Sequence, residues 1–137
     1  MAEFSLIADT HILIWFLTEP EVLPKDLRKE LSEGDSVPMF SVVSIWEIAI
    51  KVSIKKLPAE FDPSLIRGML LGAGWAELGF NGDHAVTVAS LPLIHGDPFD
   101  RGLIAQATRE RTRLVTSDKL LGKYGDWVRV IKKRKGA

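Results

Sequence analysis

Cysteine is absent from the 137 residues, which excludes disulfide frameworks, thiolate zinc sites and cysteine nucleophiles. An excess of either charge is lacking too: 18 Lys and Arg stand against 18 Asp and Glu, so no bulk attraction to nucleic acid is expected. No basic segment leading into an apolar stretch follows Met1, so no secretory signal is read. The longest apolar runs, such as His11 to Leu17, fall far short of the roughly 18–20 residues that cross a bilayer. A cytoplasmic protein with no membrane contact is the expectation. Several catalytic signatures are missing as well. There is no Gly-x-Ser-x-Gly elbow and no phosphate loop ending in Gly-Lys-Ser/Thr. Gly72-Ala73-Gly74 begins like a dinucleotide fingerprint, but Glu77 takes the place of the third glycine. His11, His84 and His95 lack the i, i+4 spacing of a helical zinc pair.

What is present is an ordinary globular composition, 46% hydrophobic and 26% charged. The length predicts one domain over residues 1–137 that buries about 65–70% of its unfolded surface. Basic residues gather at Arg109, Arg111 and Arg113 and again in Lys132-Lys133-Arg134-Lys135, a basic tail at about 132–137. Solvated surface accounts for either group.

Short apolar runs alternate with helical patterns. Phe4 to Ala8, Val37 to Val42, Trp75 to Leu78, Leu114 to Thr116 and Val128 to Ile131 read as strands. Pro38 favours the start of its strand or an exposed edge. Helices are expected over Thr10–Leu17, Pro24–Leu31, Ser44 to about Lys56, Pro63 to about Leu71, Gly82–Leu91 and Asp100 to about Arg111. This alternation predicts an α/β fold around a mostly parallel sheet. Ligands of such sheets bind beyond the carboxyl ends of the strands.

Four acids fall there. Asp9 follows the first strand, Glu47 lies early in the helix after the second, Asp100 opens a helix, and Asp118 follows Leu114–Thr116. Clustered carboxylates repel and are costly to desolvate, so together they point to a divalent cation with oxygen ligands, Mg²⁺ or Mn²⁺. Each has a purely structural alternative. Ser44-Ile45-Trp46-Glu47 spells a capping box; Asp97 and Asp100 could cap a helix; Asp9 and Asp118 could be turn residues. The tryptophans, Trp15, Trp46, Trp75 and Trp127, suit core or interface positions. Among the histidines, His95 stands out for its place beside Asp97 in a loop.

Four segments carry a family likeness: Leu6-Ile7-Ala8-Asp9-Thr10, Ser41-Val42-Val43-Ser44-Ile45-Trp46-Glu47-Ile48, Asp97-Pro98-Phe99-Asp100-Arg101 running on to Ile104-Ala105-Gln106-Ala107, and Leu114-Val115-Thr116-Ser117-Asp118. In order and spacing the chain resembles the PIN-domain ribonucleases, specifically the VapC-like toxins of prokaryotic toxin–antitoxin pairs. Gly102 departs from the pattern, where relatives usually carry an apolar residue. The resemblance implies a three-layer α/β/α sandwich, Mg²⁺-dependent endoribonuclease activity, a cognate antitoxin and a homodimer. Carried over by position, Asp9, Glu47, Asp100 and Asp118 form the acidic site, with Asp9 and Asp100 as metal ligands and Asp118 and Glu47 completing the set. Asp97 and Thr116 are secondary candidates; for Asp97 a capping role is preferred. Arg101 and the basic tail are candidates to meet RNA, and for Arg101 a salt bridge to an acid is the alternative. A non-catalytic PIN-fold module binding protein or RNA is the competing reading. A receiver-like phosphoacceptor and a haloacid-type phosphatase both fail at Asp9-Thr10-His11, where they need further acids.

Overall fold

The computed structural model describes residues 4–134, with side chains described from Leu6 onward. Lys135 and the end of the basic tail lie outside the described residues. Five strands form one sheet: β1 (Phe4–Ala8), β2 (Val37–Ser41), β3 (Ala76–Leu78), β4 (Arg113–Thr116) and β5 (Val128–Val130), in the order β3-β2-β1-β4-β5. All four pairings are parallel. Six helices connect them: α1 (Thr10–Thr18), α2 (Lys25–Glu33), α3 (Val42–Ser53), α4 (Pro63–Gly72), α5 (Gly82–Val88) and α6 (Pro98–Glu110).

Alternation along the strands sorts the core into two layers. Leu6 and Ala8 of β1, Phe40 of β2 and Val115 of β4 pack with Ile12, Leu13, Leu27, Ile66 and Leu70 from α1, α2 and α4. Their neighbours Ile7, Met39 and Leu114 point the other way, onto Leu103, Ile104 and Ala107 of α6. Helix α3 serves both layers, Ile48 in the first and Val43 in the second. The result is the three-layer α/β/α sandwich expected. Among the described residues no helix is long and apolar enough to cross a membrane.

Two helix starts need correction, and the two places open to Pro38 are resolved. Pro38 stands second in β2, at the start of a strand as one alternative had it, on a strand that is interior rather than an edge. It coincides with a slip in the β1–β2 register, where Phe4↔Val37 is followed by Ile7↔Met39, an irregularity that accommodates a residue with no N–H to give the ladder. Helix α3 starts at Val42, capped by the Ser41 hydroxyl, which accepts from Val43 N at 3.0 Å. Ser44 therefore caps nothing, and Glu47 sits in the second turn rather than the first. Helix α6 begins at Pro98, with Asp97 as its cap. The glycines of Gly72-Ala73-Gly74 end α4, and Gly74 takes φ +92° in the turn toward β3.

Candidate active site

The carboxyl ends of β1, β2 and β4 and the start of α6 bring the expected acids to one place. Asp9, Glu47, Asp100 and Asp118 all line a single cleft of about 300 Å³, together with Thr10, His11, Lys51, Asp97 and Ser117. Each is delivered by a local rule. Asp9 is the residue at which β1 turns into α1, and its Oδ1 caps that helix by accepting from Ile12 N at 3.0 Å. Asp100 lies in the first turn of α6, which the Asp97–Pro98 start holds in place. Asp118 follows β4, where its Oδ1 accepts from Leu120 N at 2.9 Å.

Asp9 and Glu47 are buried. The Thr116 hydroxyl donates to Asp9 Oδ2 and accepts from Asp118 N at 3.0 Å. Thr116 thus ties the end of β1 to the turn after β4. Across the cleft, the Thr10 hydroxyl donates to Glu47 Oε1 at 2.6 Å and lies 2.9 Å from Ser44 Oγ. Lys51, one turn further along α3, pairs with Glu47 Oε2 at 2.5 Å. Every oxygen of Asp9 and Glu47 therefore has an internal partner, as buried charge requires.

Asp100 and Asp118 are more open, with side chains 23% and 40% exposed. Burial is the main cause that pushes the Asp100 carboxyl up to about 7, and the carboxylates of Asp97, Asp9 and Glu47 add to it. Burial likewise raises the Asp9 carboxyl, against the opposing hydrogen bonds of Thr116 and Ile12. Negative charge is concentrated here beyond what the neighbouring cations offset. The donor set is mainly carboxylate oxygen, the chemistry of Mg²⁺ or Mn²⁺ rather than of a soft metal. Atoms of His95, Asp100 and Asp118 lie within 4.8 Å of one another, a spacing open to a cation.

Asp97 accepts on Oδ1 from Phe99 N at 2.8 Å and from Asp100 N at 3.0 Å. The Arg101 guanidinium takes up backbone: it donates to Val88 O, Pro92 O and His95 O and to the Tyr124 hydroxyl. No acid pairs with it among the described residues, so the alternative of a salt bridge is not what the fold uses. In the described part of the basic tail, Lys133 stands over the Trp15 ring at 5.2 Å.

Sequence reasoning passed over Lys51 and underused His95. An i, i+4 spacing from Glu47 was the available signal for Lys51. For His95 the signal was its position two residues before Asp97. Its Nε2 lies 2.9 Å from Asp118 Oδ2 and 3.5 Å from Asp100 Oδ2.

A family model described as PIN domain matches residues 6–126; the chain belongs to the PIN domain family. In structure it is similar to VapBC2 from Rickettsia felis bound to a DNA fragment from their promoter, with TM-score 0.69 and 16% identity over 94% of this chain and 98% of that one. A toxin–antitoxin complex from Klebsiella pneumoniae gives TM-score 0.62 and 17% identity, covering 90% and 95%. DNA-bound VapBC from Salmonella typhimurium gives 0.63 and 15%, covering 96% and 98%. At these identities the likeness is one of fold. No curated protein matches the chain.

Proposed function

We propose that the chain is a divalent-metal-dependent endoribonuclease acting as the toxin of a toxin–antitoxin pair, the whole of residues 1–137 serving as one nuclease unit in the cytoplasm. The observation that carries this reading is the convergence of Asp9, Glu47, Asp100 and Asp118 on one cleft from the ends of β1 and β4, the second turn of α3 and the first turn of α6, with Asp100 pushed up to about 7 by burial and neighbouring carboxylates. Such a site is costly without a cation and useful with one. Membership of the PIN family and similarity in fold to three toxin–antitoxin complexes support the same reading.

Asp9, Asp100 and Asp118 would hold Mg²⁺ or Mn²⁺, with Glu47 at the inner wall. When bound, the cation activates water and offsets charge on the scissile phosphate. The chain's own part is to fix the acids. Thr116 and the Ile12 amide hold Asp9, Thr10 and Lys51 hold Glu47, and the start of α6 holds Asp100. Lys51, part-exposed beside Glu47, supplies a cation for a phosphate that the acids alone would repel. A homodimer belongs to this reading, and the exposed row Leu65 and Met69 on α4 is available to a second copy; light scattering measures it.

The test is cleavage of a single-stranded RNA by the wild type and by Asp100→Asn, with Mg²⁺, with Mn²⁺ and with chelator. Cleavage that needs the metal and drops at least about a hundredfold in the variant supports the assignment, since losing a metal ligand removes several kcal/mol of transition-state stabilisation. Undiminished cleavage by a folded Asp100→Asn chain sinks it.

A further inference from the structure

The ring of His95 stands among the open acids, and its two nitrogens are not equivalent. Nδ1 lies 3.0 Å from the backbone N of Asp97. An amide N–H can only donate, so Nδ1 is the acceptor and the ring proton resides on Nε2. Nε2 in turn lies 2.9 Å from Asp118 Oδ2. We infer that His95 is a positioning residue, an Nε2–H donor that aims the Asp118 carboxylate into the cleft, and not itself a metal ligand. The inference rests on the metal-site reading above and adds a residue to it.

Three features carry the argument. First, ligation through Nε2 would move the proton to Nδ1, where it would face the Asp97 N–H, two donors 3.0 Å apart. That amide has little room to turn away, because the Asp97 side chain caps α6 through Phe99 N and Asp100 N. Second, the main chain of His95 is held as well. Its N–H donates to the Tyr124 hydroxyl at 3.1 Å, and Arg101 reaches both that hydroxyl and the His95 carbonyl. Third, Asp118 is the most open of the four acids and, among the described residues, has no helix or buried hydroxyl bonded to its oxygens. Leu120 N takes Oδ1 and His95 takes Oδ2. Two donors, one on each oxygen, fix the carboxylate plane and leave the second lone pair of each oxygen free. The close grouping of His95, Asp100 and Asp118 is then two carboxylates beside a donor, not a mixed nitrogen–oxygen ligand set.

The experiment joins a metal-free measurement to a metal-binding one, both on the full chain. Nitrogen-15 NMR of the metal-free protein should find His95 protonated on Nε2; the Nδ1–H tautomer overturns the inference. Mn²⁺ affinity, followed by EPR, is then compared for wild type, His95→Gln and His95→Asn. A glutamine amide can put an N–H close to where Nε2 stands, whereas asparagine can accept from the Asp97 amide but is too short to reach Asp118. His95→Gln should stay within about threefold of wild type, and His95→Asn should bind about 10- to 100-fold more weakly, the usual penalty for losing such an outer partner. In an Asp118→Asn background the His95→Asn loss should shrink, because the two act on the same contact. Electron spin-echo modulation on bound Mn²⁺ should carry no directly coordinated nitrogen. A coordinated nitrogen that vanishes in His95→Gln, or a folded His95→Asn chain binding Mn²⁺ as tightly as wild type, overturns the inference while leaving the metal site standing. A wild type that binds no Mn²⁺ overturns both.

Discussion

The two halves of the cleft are built differently. Asp9 and Glu47 sit inside the protein with every oxygen matched to a donor from α1, α3 or β4. Asp100 and Asp118 stand at the rim, on the first turn of α6 and the turn after β4, with more solvent around both; among the described residues Asp118 has a donor on each oxygen, whereas Asp100 has only the His95 ring at 3.5 Å. The inner pair is continuous with the architecture, since removing it would leave a helix cap and buried hydroxyls unmatched. The outer pair is set by the architecture but adds little to it. Burial raises Asp9 as well, but there the hydrogen bonds of Thr116 and Ile12 oppose the rise; Asp100 lacks such bonds and its carboxyl is pushed up to about 7, the less matched charge being the one available for chemistry.

That contrast can be broken or sharpened by experiment. The largest effect expected is on Asp100→Asn, which should lower RNA cleavage at least about a hundredfold without lowering the melting temperature of the metal-free chain. Its pH dependence follows from the raised carboxyl. The folded value, about 7, lies above the roughly 3.9 of an unfolded Asp, so the native state holds the proton more tightly. Stability from this group is therefore present at low pH and lost as pH rises from about 4 through 7. Between pH 5 and 8 the metal-free wild type should fall relative to Asp100→Asn by on the order of 2 kcal/mol. Paired urea titrations at the two pH values measure it, and a gap that does not change with pH removes the basis for the contrast.

A smaller effect belongs to the inner pair. Thr10→Val keeps the shape but strips the hydroxyl from Glu47 Oε1 and Ser44 Oγ, both buried. It should cost about 1–3 kcal/mol of stability at any pH between 6 and 8, read by chemical denaturation. A neutral outcome would mean that the inner acids are as loosely held as the outer ones. The smallest effect is at Gly102, on the same helix as Asp100. A Cβ there would meet Phe80 Cε1 at 3.4 Å and the Val43 methyls at 3.7 Å, ordinary contacts. Gly102→Ala should stabilise by up to about 1 kcal/mol through helix propensity and leave cleavage unchanged. A loss of cleavage would show that α6 cannot be altered behind its acids.

Much of this could be read from the chain because local rules and tertiary placement agree. A strand that ends in Asp, followed at once by a helix, puts a carboxylate at the sheet edge whatever the rest of the fold does. The alternation that sends Leu6 and Ile7 to opposite layers is equally plain. Failures came where one pattern had two realisations. Ser41 and Ser44 both suit a cap, and the short strand β2 decided for the first, freeing Glu47 to turn inward. Pro38 suited a strand start or an edge, and a register slip lets it stand at the start of an interior strand. Arg101 was open to RNA or to a neighbouring acid, yet carbonyls at the end of α5 and in the following loop claimed it. The role of His95 depends on a backbone amide two residues away, and no side-chain spacing records that.

The hydrogen bond between Thr116 and Asp9 joins residues 107 apart in sequence, and this bears on how the protein is made. A nascent chain that has emerged as far as α5 already carries Asp9 and Glu47. It lacks β4, the strand that closes the wall behind Asp9, and it lacks α6 with Asp100. Contacts of such long separation form late, after loop closure has been overcome. The cleft is therefore completed only once α6 and β4 have emerged, and a chain interrupted before them has the first acids without the others.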